Sequence, residues 1–343
     1  MTGGGGFSDL WMAYRLRWKR RRYLFRAWRK SSQLRCLADR RAGLGRDAIL
    51  AVMTVRNEML RLPFFLDHHR RLGVDHFLIV DNASDDGTTA YLAAQPDVSL
   101  WSTAHSYRLS RFGVDWTTWL QNRYAHGHWC LTLDADELFI YPYWETRNLR
   151  ALTGWLDGLG QRSLAAMMLD LYPEGALSAA VYAPGQDPTQ VMGWFDAGNY
   201  GIKRQEPLGN LWIQGGVRGR MFFADDPRRA PTLNKTPLVK WNRGFAYVNA
   251  THQLLPRALN RNFGADGAEV TSGILLHTKF LPNILAKSTE EKARQEHFNN
   301  SALYTDYYDG LIADPQLWSA ASHRYAGWRQ LESLGLMSRG GWV

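Results

Sequence analysis

Short apolar runs alternate with segments of helical periodicity over residues 49–137. Residues 49–55 form an apolar run that predicts a strand, and residues 60–72 carry apolar side chains at helical spacing, with Pro63 in the expected first turn. The runs HFLIVD, VSLWS and WCLTLDADE predict three further strands, with helices over TTAYLAAQ and residues 113–126 between them. This alternation predicts an α/β fold with a Rossmann-like, doubly wound and mostly parallel sheet.

The second half of the chain is less regular. AAMMLDLYP, FAYVNATHQLL and GILLHTKFL each have the composition of a strand, whereas residues 174–236 are rich in Gly, Pro and Asn. Helices are expected over residues 286–337, where STEEKARQEHF opens on a Ser/Thr cap followed by acids. The chain therefore divides into a basic aromatic N-terminal helical segment (1–48), an α/β domain (49–285) and a C-terminal helical extension (286–343).

Residues 1–48 hold the whole positive excess of the chain. They contain 13 Lys/Arg and 3 Asp/Glu, whereas the full chain contains 41 and 32. From Phe7 onward, Trp, Tyr, Phe and Leu alternate with arginines, a mixture typical of a helix that lies in a membrane interface. The alternative is a helix packed on the body of the protein with a solvated basic face. Nucleic acid is not expected as a partner, because no base-reading motif accompanies the charge.

Features of secreted and membrane-spanning proteins are not evident in the sequence. No run of eighteen apolar residues occurs, and the N-terminus has no apolar core of a secretion signal. Cys36 and Cys130 are far apart and indicate no disulfide framework, so a reducing compartment is expected. With the basic N-terminus, these features predict a cytoplasmic protein bound peripherally at the inner face of the cytoplasmic membrane.

Polar side chains follow three of the predicted strands. They are Arg56, Asn57 and Glu58 after the first strand, Asp81 after the second, and Asp134, Asp136 and Glu137 after the fourth. The carboxyl ends of parallel strands meet at one edge of a sheet, where ligands bind in doubly wound folds. The sequence therefore predicts a binding site at this edge. Asp85, Asp86 and Gly87 are expected to form a turn and a helix cap instead.

Asp134 and Asp136 are the candidate metal-site acids. On an extended chain, residues two apart point to the same side, and two such carboxylates repel each other unless a cation lies between them. Carboxylate oxygens suit Mn2+ or Mg2+, which also bind phosphate oxygens. The alternative is a strand-end acid pair that caps a helix or forms salt bridges.

The segment VRNEMLRLPFFLDHHRRLGVDHFLIVDNASDDGT, followed by WCLTLDADELF, resembles family 2 glycosyltransferases with the GT-A fold. It is most similar to the branch that also resembles family 92, and the resemblance covers about residues 49–300. It implies a GT-A fold and the transfer of a sugar from a nucleotide donor, a UDP-sugar above all, to a glycan hydroxyl. It also implies that Asp136 is the more direct metal ligand, with Asp134 either on the metal or on the ribose.

The resemblance also bears on the residues around the donor. In this family the region after the first strand contacts the nucleotide, which is the role expected here for Arg56, Asn57 and Glu58. Asp81 is placed to accept hydrogen bonds from a base imide or a ribose hydroxyl.

Related enzymes often bring a C-terminal histidine to the metal, and His252 and His277 are the two candidates. Lys279 lies two residues after His277, so an ammonium group could bind the diphosphate on the same face. A lone histidine at a strand end is otherwise a structural residue.

The catalytic base is the point at which this chain departs from the family. Inverting transfer needs a carboxylate that deprotonates the acceptor hydroxyl, and family 2 supplies it from an acidic pair after a Gly-Gly region. The matching stretch here, LNKTPLVKW, contains no acid, which leaves Asp226 and Glu174 as candidates. Inverting transfer is favoured and retaining transfer stays open.

Arg218 and Arg220, after Gly215 and Gly216, could line the sugar or acceptor cleft, or form an ordinary surface pair.

These features together predict a metal-dependent glycosyltransferase that acts on a cell-envelope, capsular or lipid-linked glycan. A nucleotidyltransferase is the alternative enzyme, although VRNEML lacks the Gly-rich basic loop of that class. A non-catalytic, membrane-bound scaffold with the same fold is the third possibility.

Overall fold

A nine-stranded sheet forms the centre of the computed structural model, which describes residues 5–260, 270–294 and 305–343. In chain order the strands are β1 (Arg35–Ala38), β2 (Leu50–Val55), β3 (His76–Asp81), β4 (Val98–Ser102), β5 (Trp129–Thr132), β6 (Glu137–Ile140), β7 (Ser163–Asp170), β8 (Trp194–Asp196), β9 (Tyr200–Gln205), β10 (Asn210–Gly215), β11 (Asn234–Lys240), β12 (Ala246–Asn249), β13 (Gln253–Leu255), β14 (Gly273–His277) and β15 (Ser322–Arg324). In chain order the helices are α1 (Gly5–Lys30), α2 (Leu62–Leu72), α3 (Thr88–Ala94), α4 (Val114–Tyr124), α5 (Leu149–Gly158), α6 (Pro188–Val191), α7 (Gly216–Phe222), α8 (Ile284–Arg294), α9 (Thr305–Ile312) and α10 (Trp328–Ser333).

The large sheet has the strand order β1-β4-β3-β2-β5-β11-β7-β14-β6. β4, β3, β2 and β5 are mutually parallel, and their order is the 3-2-1-4 order of a Rossmann fold. β7 and β14 form a further parallel pair, while β1, β11 and β6 run antiparallel to their neighbours. The predicted α/β fold is confirmed, and the arrangement is consistent with a GT-A-type core. Strand order reverses between β2 and β5, and ligands of such sheets bind beyond that point.

Both faces of β2 are covered because consecutive residues of a strand point to opposite sides. Met53 belongs to the core cluster that contains Phe65 of α2, whereas Val52 belongs to the cluster that contains Trp116 of α4. A strand buried on both faces is continuously apolar, which explains why β2 is marked in the sequence by an apolar run.

Local sequence sets both ends of α2. Pro63 occupies the first turn, where its missing N–H costs no intrahelical hydrogen bond. Gly73 follows the helix with a φ of 99°, a left-handed conformation that favours glycine, and its N–H donates to the carbonyl of Arg70. The chain can therefore leave the helix sharply and enter β3.

Parts of the C-terminal half differ from the sequence prediction. FAYVNATHQLL is a hairpin of β12 and β13, joined through the 3-10 turn Ala250–His252, and not one strand. α8 begins at Ile284, so Ser288 is buried inside the helix and does not cap it. Residues 295–298 of that predicted helix lie outside the described residues. β15 pairs with β8 in a region predicted to be helical, since pairing with a distant strand outweighs local helix propensity.

The N-terminal segment is attached to the body of the protein. α1 packs against α4 and β12, and β1 pairs antiparallel with β4 at the edge of the large sheet. The sequence predicts helix throughout this segment, whereas residues 35–38 form a strand because β4 offers partners for their backbone groups. Within the described ranges, no helix is both long and apolar enough to cross a membrane.

Candidate functional site

β14 brings three ionisable side chains together at one edge of the sheet. Its last residue, His277, lies opposite Asp170 of β7 and Glu137 of β6, and all three are buried. Because β6 runs antiparallel to β14, the first residue of β6 lies at the same edge as the last residues of β7 and β14. This is the carboxyl edge of the parallel strands, where the sequence predicts a site.

Asp134 and Asp136 lie in the turn between β5 and β6. β5 ends at Thr132, and the N–H of Glu137 donates to the carbonyl of Asp134 at 3.1 Å. The same-side alternation expected of an extended chain therefore does not apply to them. The two carboxylates have different partners: Asp134 pairs with Lys235 at 2.7 Å, whereas Asp136 faces the imidazole of His277.

Asp170 fixes the orientation of the His277 ring. His277 Nδ1 lies 2.5 Å from Asp170 Oδ1, and Nε2 lies 3.2 Å from Asp136 Oδ2. Arg218 of α7 donates from Nε to the other oxygen of Asp170 at 2.7 Å. A histidine whose second nitrogen is held by a carboxylate is the usual arrangement of a metal ligand. The structure thus brings together Asp136 and His277, two of the residues predicted from the sequence.

Neighbouring charges keep both carboxylates ionised. Burial by itself would raise the pKa of Asp136, but His277 and the nearby cations outweigh it and hold this pKa well below its usual range. Burial also opposes ionisation of Asp170, yet attraction to Arg218 and His277 lowers its pKa to about 2. Both side chains are therefore in the charged form that metal binding requires.

Asp136, Glu137 and His277 form a candidate metal centre. One ligand atom from each of the three lies within 4.8 Å of the others. Carboxylates suit Mg2+ and Mn2+, and imidazole is a softer ligand that favours the latter. Because the imidazole is already held by Asp170, the donor set fits a divalent cation. Lys235 Nζ also contacts Glu137, so a bound metal and this ammonium would share the carboxylate.

Asp170 and Lys235 are missing from the sequence-predicted site. Asp170 carries a signal that could have identified it, because it follows the apolar run LAAMML just as Asp81 follows HFLIV. Lys235 carries none, since it lies inside β11 and only the pairing of β11 with β5 and β7 brings it to the acids. Burial alone would lower the pKa of Lys235, but the negative charges of Asp134 and Glu137 raise it by more. The net shift of this pKa is upward, so the ammonium group stays charged.

Two further cations flank the cluster. Lys279 Nζ lies 5.5 Å from the centre of the Tyr307 ring. Burial and repulsion from Arg218 lower the pKa of Lys279 to about 8, which leaves it largely protonated at neutral pH. Arg61 donates to the carbonyl of Lys279 at 3.4 Å, and both cations stabilise the ionised form of Asp136. An anionic ligand bound to this edge would therefore meet positive charge.

The residues predicted to contact the nucleotide form the loops after β2 and β3. Arg56 donates to the carbonyl of Asn82 at 2.9 Å, and the N–H of Asn57 donates to Ser84 Oγ at 2.9 Å. Asp81 accepts a hydrogen bond from the same Ser84 hydroxyl. These contacts join the two loops beside the strand-order reversal, which is the expected position for a nucleotide contact.

Glu58 belongs to an ion-pair network. Its carboxylate pairs with Arg61 at 3.0 Å and with Lys287 of α8 at 2.6 Å. Through Lys287, the network joins the loop after β2 to α8, so the contacts of Glu58 hold these two elements together.

The structure places His252 outside the candidate metal centre. It lies in the turn between β12 and β13, and its Nδ1 is 2.6 Å from the carbonyl of Asn234. Burial lowers the pKa of His252 to about 4. Of the two predicted histidines, His277 is thus the one beside Asp136.

Neither predicted base is bonded to the candidate metal centre. Asp226 precedes the 3-10 turn Pro227–Arg229 and pairs with Arg228 at 3.2 Å. Glu174 is exposed after β7, and its backbone carbonyl accepts a hydrogen bond from Gln316. Both stay predictions of a catalytic base.

Neither a protein-family model nor a curated protein sequence matches the chain. Among solved structures, 46% of the chain is similar to 46% of a mannosyltransferase from Pyrobaculum calidifontis in complex with GDP-Man and Mn2+, at 19% identity and a TM-score of 0.28. The chain thus spans less than half the length of that mannosyltransferase. A 4-diphosphocytidyl-2C-methyl-D-erythritol synthase is similar over 58% of this chain and 76% of its own, at 16% identity and a TM-score of 0.28. Similarities this weak assign neither activity to the chain.

Proposed function

We propose that this protein is a metal-dependent glycosyltransferase. It moves a sugar from a nucleotide-sugar donor, a UDP-sugar in this proposal, to a hydroxyl of a cell-envelope or capsular glycan. The observation that supports it most is the pairing of Asp136 with a His277 ring whose other nitrogen is held by buried Asp170. This arrangement lies at the sheet edge where doubly wound folds bind their ligands.

Each residue of the cluster has a distinct role in the proposal. Asp136 and His277, with Glu137, would hold Mn2+ or Mg2+, and the bound cation would supply charge neutralisation for the diphosphate leaving group. Asp170 positions the imidazole, and Arg218 holds Asp170 in its ionised form. Lys279 binds the diphosphate through its ammonium group.

The acceptor is proposed to bind in a cavity beside α7. This cavity has a volume of about 630 Å³ and is lined by Trp212, Gln214, Arg220 and Arg228, among others. An aromatic ring, an amide and cations suit a glycan with an acidic group. Asp226 is adjacent in sequence to this wall, which supports it as the base of an inverting transfer.

Titration calorimetry of UDP, GDP, ADP and CDP, each with and without Mn2+, tests the proposal. One nucleotide is expected to bind more tightly with Mn2+, and Asp136→Ala is expected to remove that gain while the fold is retained. Asp67→Ala is the matched control, because Asp67 is an exposed carboxylate of α2 that pairs only with Arg71 in the described ion pairs.

Three outcomes would contradict the proposal. If Mn2+-dependent binding survives in Asp136→Ala, the metal centre is elsewhere. Release of pyrophosphate from a nucleoside triphosphate in the presence of a sugar phosphate would identify a nucleotidyltransferase. If no nucleotide binds, and the biological activity of the protein is the same in Asp136→Ala as in the wild type, the protein is a non-catalytic scaffold.

A further inference from the structure

α1 presents an uncovered row of aromatic side chains, here called the α1 stripe. It comprises Trp11, Tyr14, Trp18, Phe25 and Trp28, which are between 51% and 60% exposed. Their spacings of three, four and seven residues place them on one side of a helix with 3.6 residues per turn. Neighbouring rings contact each other: the ring centres of Trp11 and Tyr14 lie 5.7 Å apart, and those of Phe25 and Trp28 lie 5.6 Å apart. Single exposed apolar residues are ordinary, whereas a contiguous row marks an interaction surface.

The opposite side of α1 is already bound to the protein. Leu16 and Ala27 are buried, and Arg26 forms an ion pair with the fully buried Asp115 of α4 at 3.0 Å. The guanidinium of Arg111 lies 4.0 Å from the centre of the Tyr23 ring. α1 therefore cannot rotate to bury the stripe without breaking these contacts.

The charge around the stripe identifies the kind of partner that fits it. α1 contains nine Lys/Arg and one Asp, and Arg15, Arg22 and Arg29 are exposed along the helix. The guanidinium of Arg21 lies 5.4 Å from the centre of the Trp18 ring. Trp and Tyr side chains favour the headgroup level of a bilayer, and Lys/Arg are attracted to anionic lipids. A second copy of the chain would bring the same positive charge to this face.

We propose that the α1 stripe binds the surface of an anionic lipid bilayer, with α1 lying in the plane of the interface. The aromatic rings enter the boundary between headgroups and acyl chains, while the flanking arginines contact lipid phosphates. α4, which is ion-paired to α1, also lines a small cavity beside Asp134 through Val114 and Thr117. If the protein is a glycosyltransferase as proposed above, α4 would connect the bilayer surface to the candidate site and favour a lipid-linked acceptor. Only this last step rests on the proposed function.

Vesicle flotation of the full chain tests the proposal. The protein is expected to float with vesicles of equal parts phosphatidylcholine and phosphatidylglycerol, and weakly or not at all with pure phosphatidylcholine. The double variant Trp18→Ser/Trp28→Ser is expected to lower the partition constant by at least about tenfold, because two ring anchors are lost. The matched control is Val181→Ser/Leu159→Ser, which removes two exposed apolar side chains at 83% and 54% exposure away from α1 and should float like the wild type.

A charge variant separates the contribution of the flanking arginines from that of the aromatic rings. Arg22→Glu/Arg29→Glu should weaken binding to the anionic vesicles and reduce its dependence on salt. Thermal unfolding of every variant should match the wild type, because the stripe residues are more than half exposed and belong to none of the described core clusters.

Equal flotation of the stripe variant and the wild type would overturn the proposal. So would a dimer, detected by light scattering, that dissociates in Trp18→Ser/Trp28→Ser while vesicle binding is absent, because a second copy would then cover the stripe. Flotation needs no nucleotide, so this result and the calorimetry of the metal centre can fail independently.

Discussion

Replacement of Asp170 by Asn removes one charge from behind the candidate metal centre with almost no change in shape. The carboxylate accepts hydrogen bonds from His277 Nδ1 at 2.5 Å and from Arg218 Nε at 2.7 Å, and its side chain is 3% exposed. The amide of Asn has one acceptor oxygen, so it can accept a hydrogen bond from only one of these two donors. It also carries no negative charge to pair with the guanidinium of Arg218. The substitution therefore leaves a buried guanidinium without its carboxylate and the imidazole without its anchor.

The expected size of the effect follows from the pKa of Asp170. Burial opposes its ionisation, but Arg218 and His277 lower the pKa from 3.8 to about 2, which corresponds to about 2.5 kcal/mol in favour of the ionised folded state. Because the folded pKa lies below the unfolded one, this stabilisation is complete above about pH 4 and is lost toward about pH 2. Breaking a buried pair costs about 3–5 kcal/mol, so the free energy of unfolding should fall by about 3 kcal/mol at neutral pH.

Urea denaturation and Mn2+ titration of Asp170→Asn measure the two consequences separately. Besides the loss of stability, the affinity for Mn2+ should fall about 10–100-fold, as it does when the supporting carboxylate of a metal-bound histidine is lost. Asp196→Asn is the matched control, because Asp196 accepts from Arg220 at 2.9 Å, whereas the described ion-pair partners of His277 are Asp136 and Asp170. It should lower stability and leave the Mn2+ affinity unchanged.

An unchanged Mn2+ affinity in Asp170→Asn, together with the expected loss of stability, would show that Asp170 supports the fold and not a metal site. An unchanged free energy of unfolding would refute the electrostatic reasoning itself.

Three further predictions concern the buried charges and the backbone. Burial lowers the pKa of His68 from 6.5 to about 4, so protonation of this histidine in the unfolded chain should remove about 2 kcal/mol of stability between about pH 7 and pH 5. In urea denaturation, His68→Phe should remove this share of the pH dependence, while the share of His252, whose pKa burial also lowers to about 4, should remain. Lys235→Met leaves the carboxylate of Glu137 buried without its cation, and the free energy of unfolding should fall by about 3–5 kcal/mol. The loss should be larger at about pH 8 than at about pH 5, because burial raises the pKa of Glu137 and the side chain is neutral at the lower pH. Added Mn2+ should restore part of the lost stability. Gly73→Ala should cost about 1 kcal/mol in thermal unfolding, because φ is 99° there; an unchanged midpoint would contradict the strain.

The sequence by itself determined the fold class and the edge of the sheet that carries the site. Strands β2 to β5 are short apolar runs, and their ends are marked by polar and glycine residues close by, so their formation depends on local signals. The acid at position 136 could be found because it lies in the acidic segment that follows such a run, and the histidine at position 277 because it ends one. The aromatic and basic composition of α1 was equally visible.

Only the tertiary structure decided which of these side chains meet. His277, Asp170 and Glu137 come together because β14 pairs with β7 and β6, which are separated from it by more than a hundred residues. The pairing of β11 brings Lys235 to the acids, and the contacts of α1 with α4 determine which of its faces is exposed. Strand register and helix packing follow from burial summed over the whole core, and no local pattern encodes that sum.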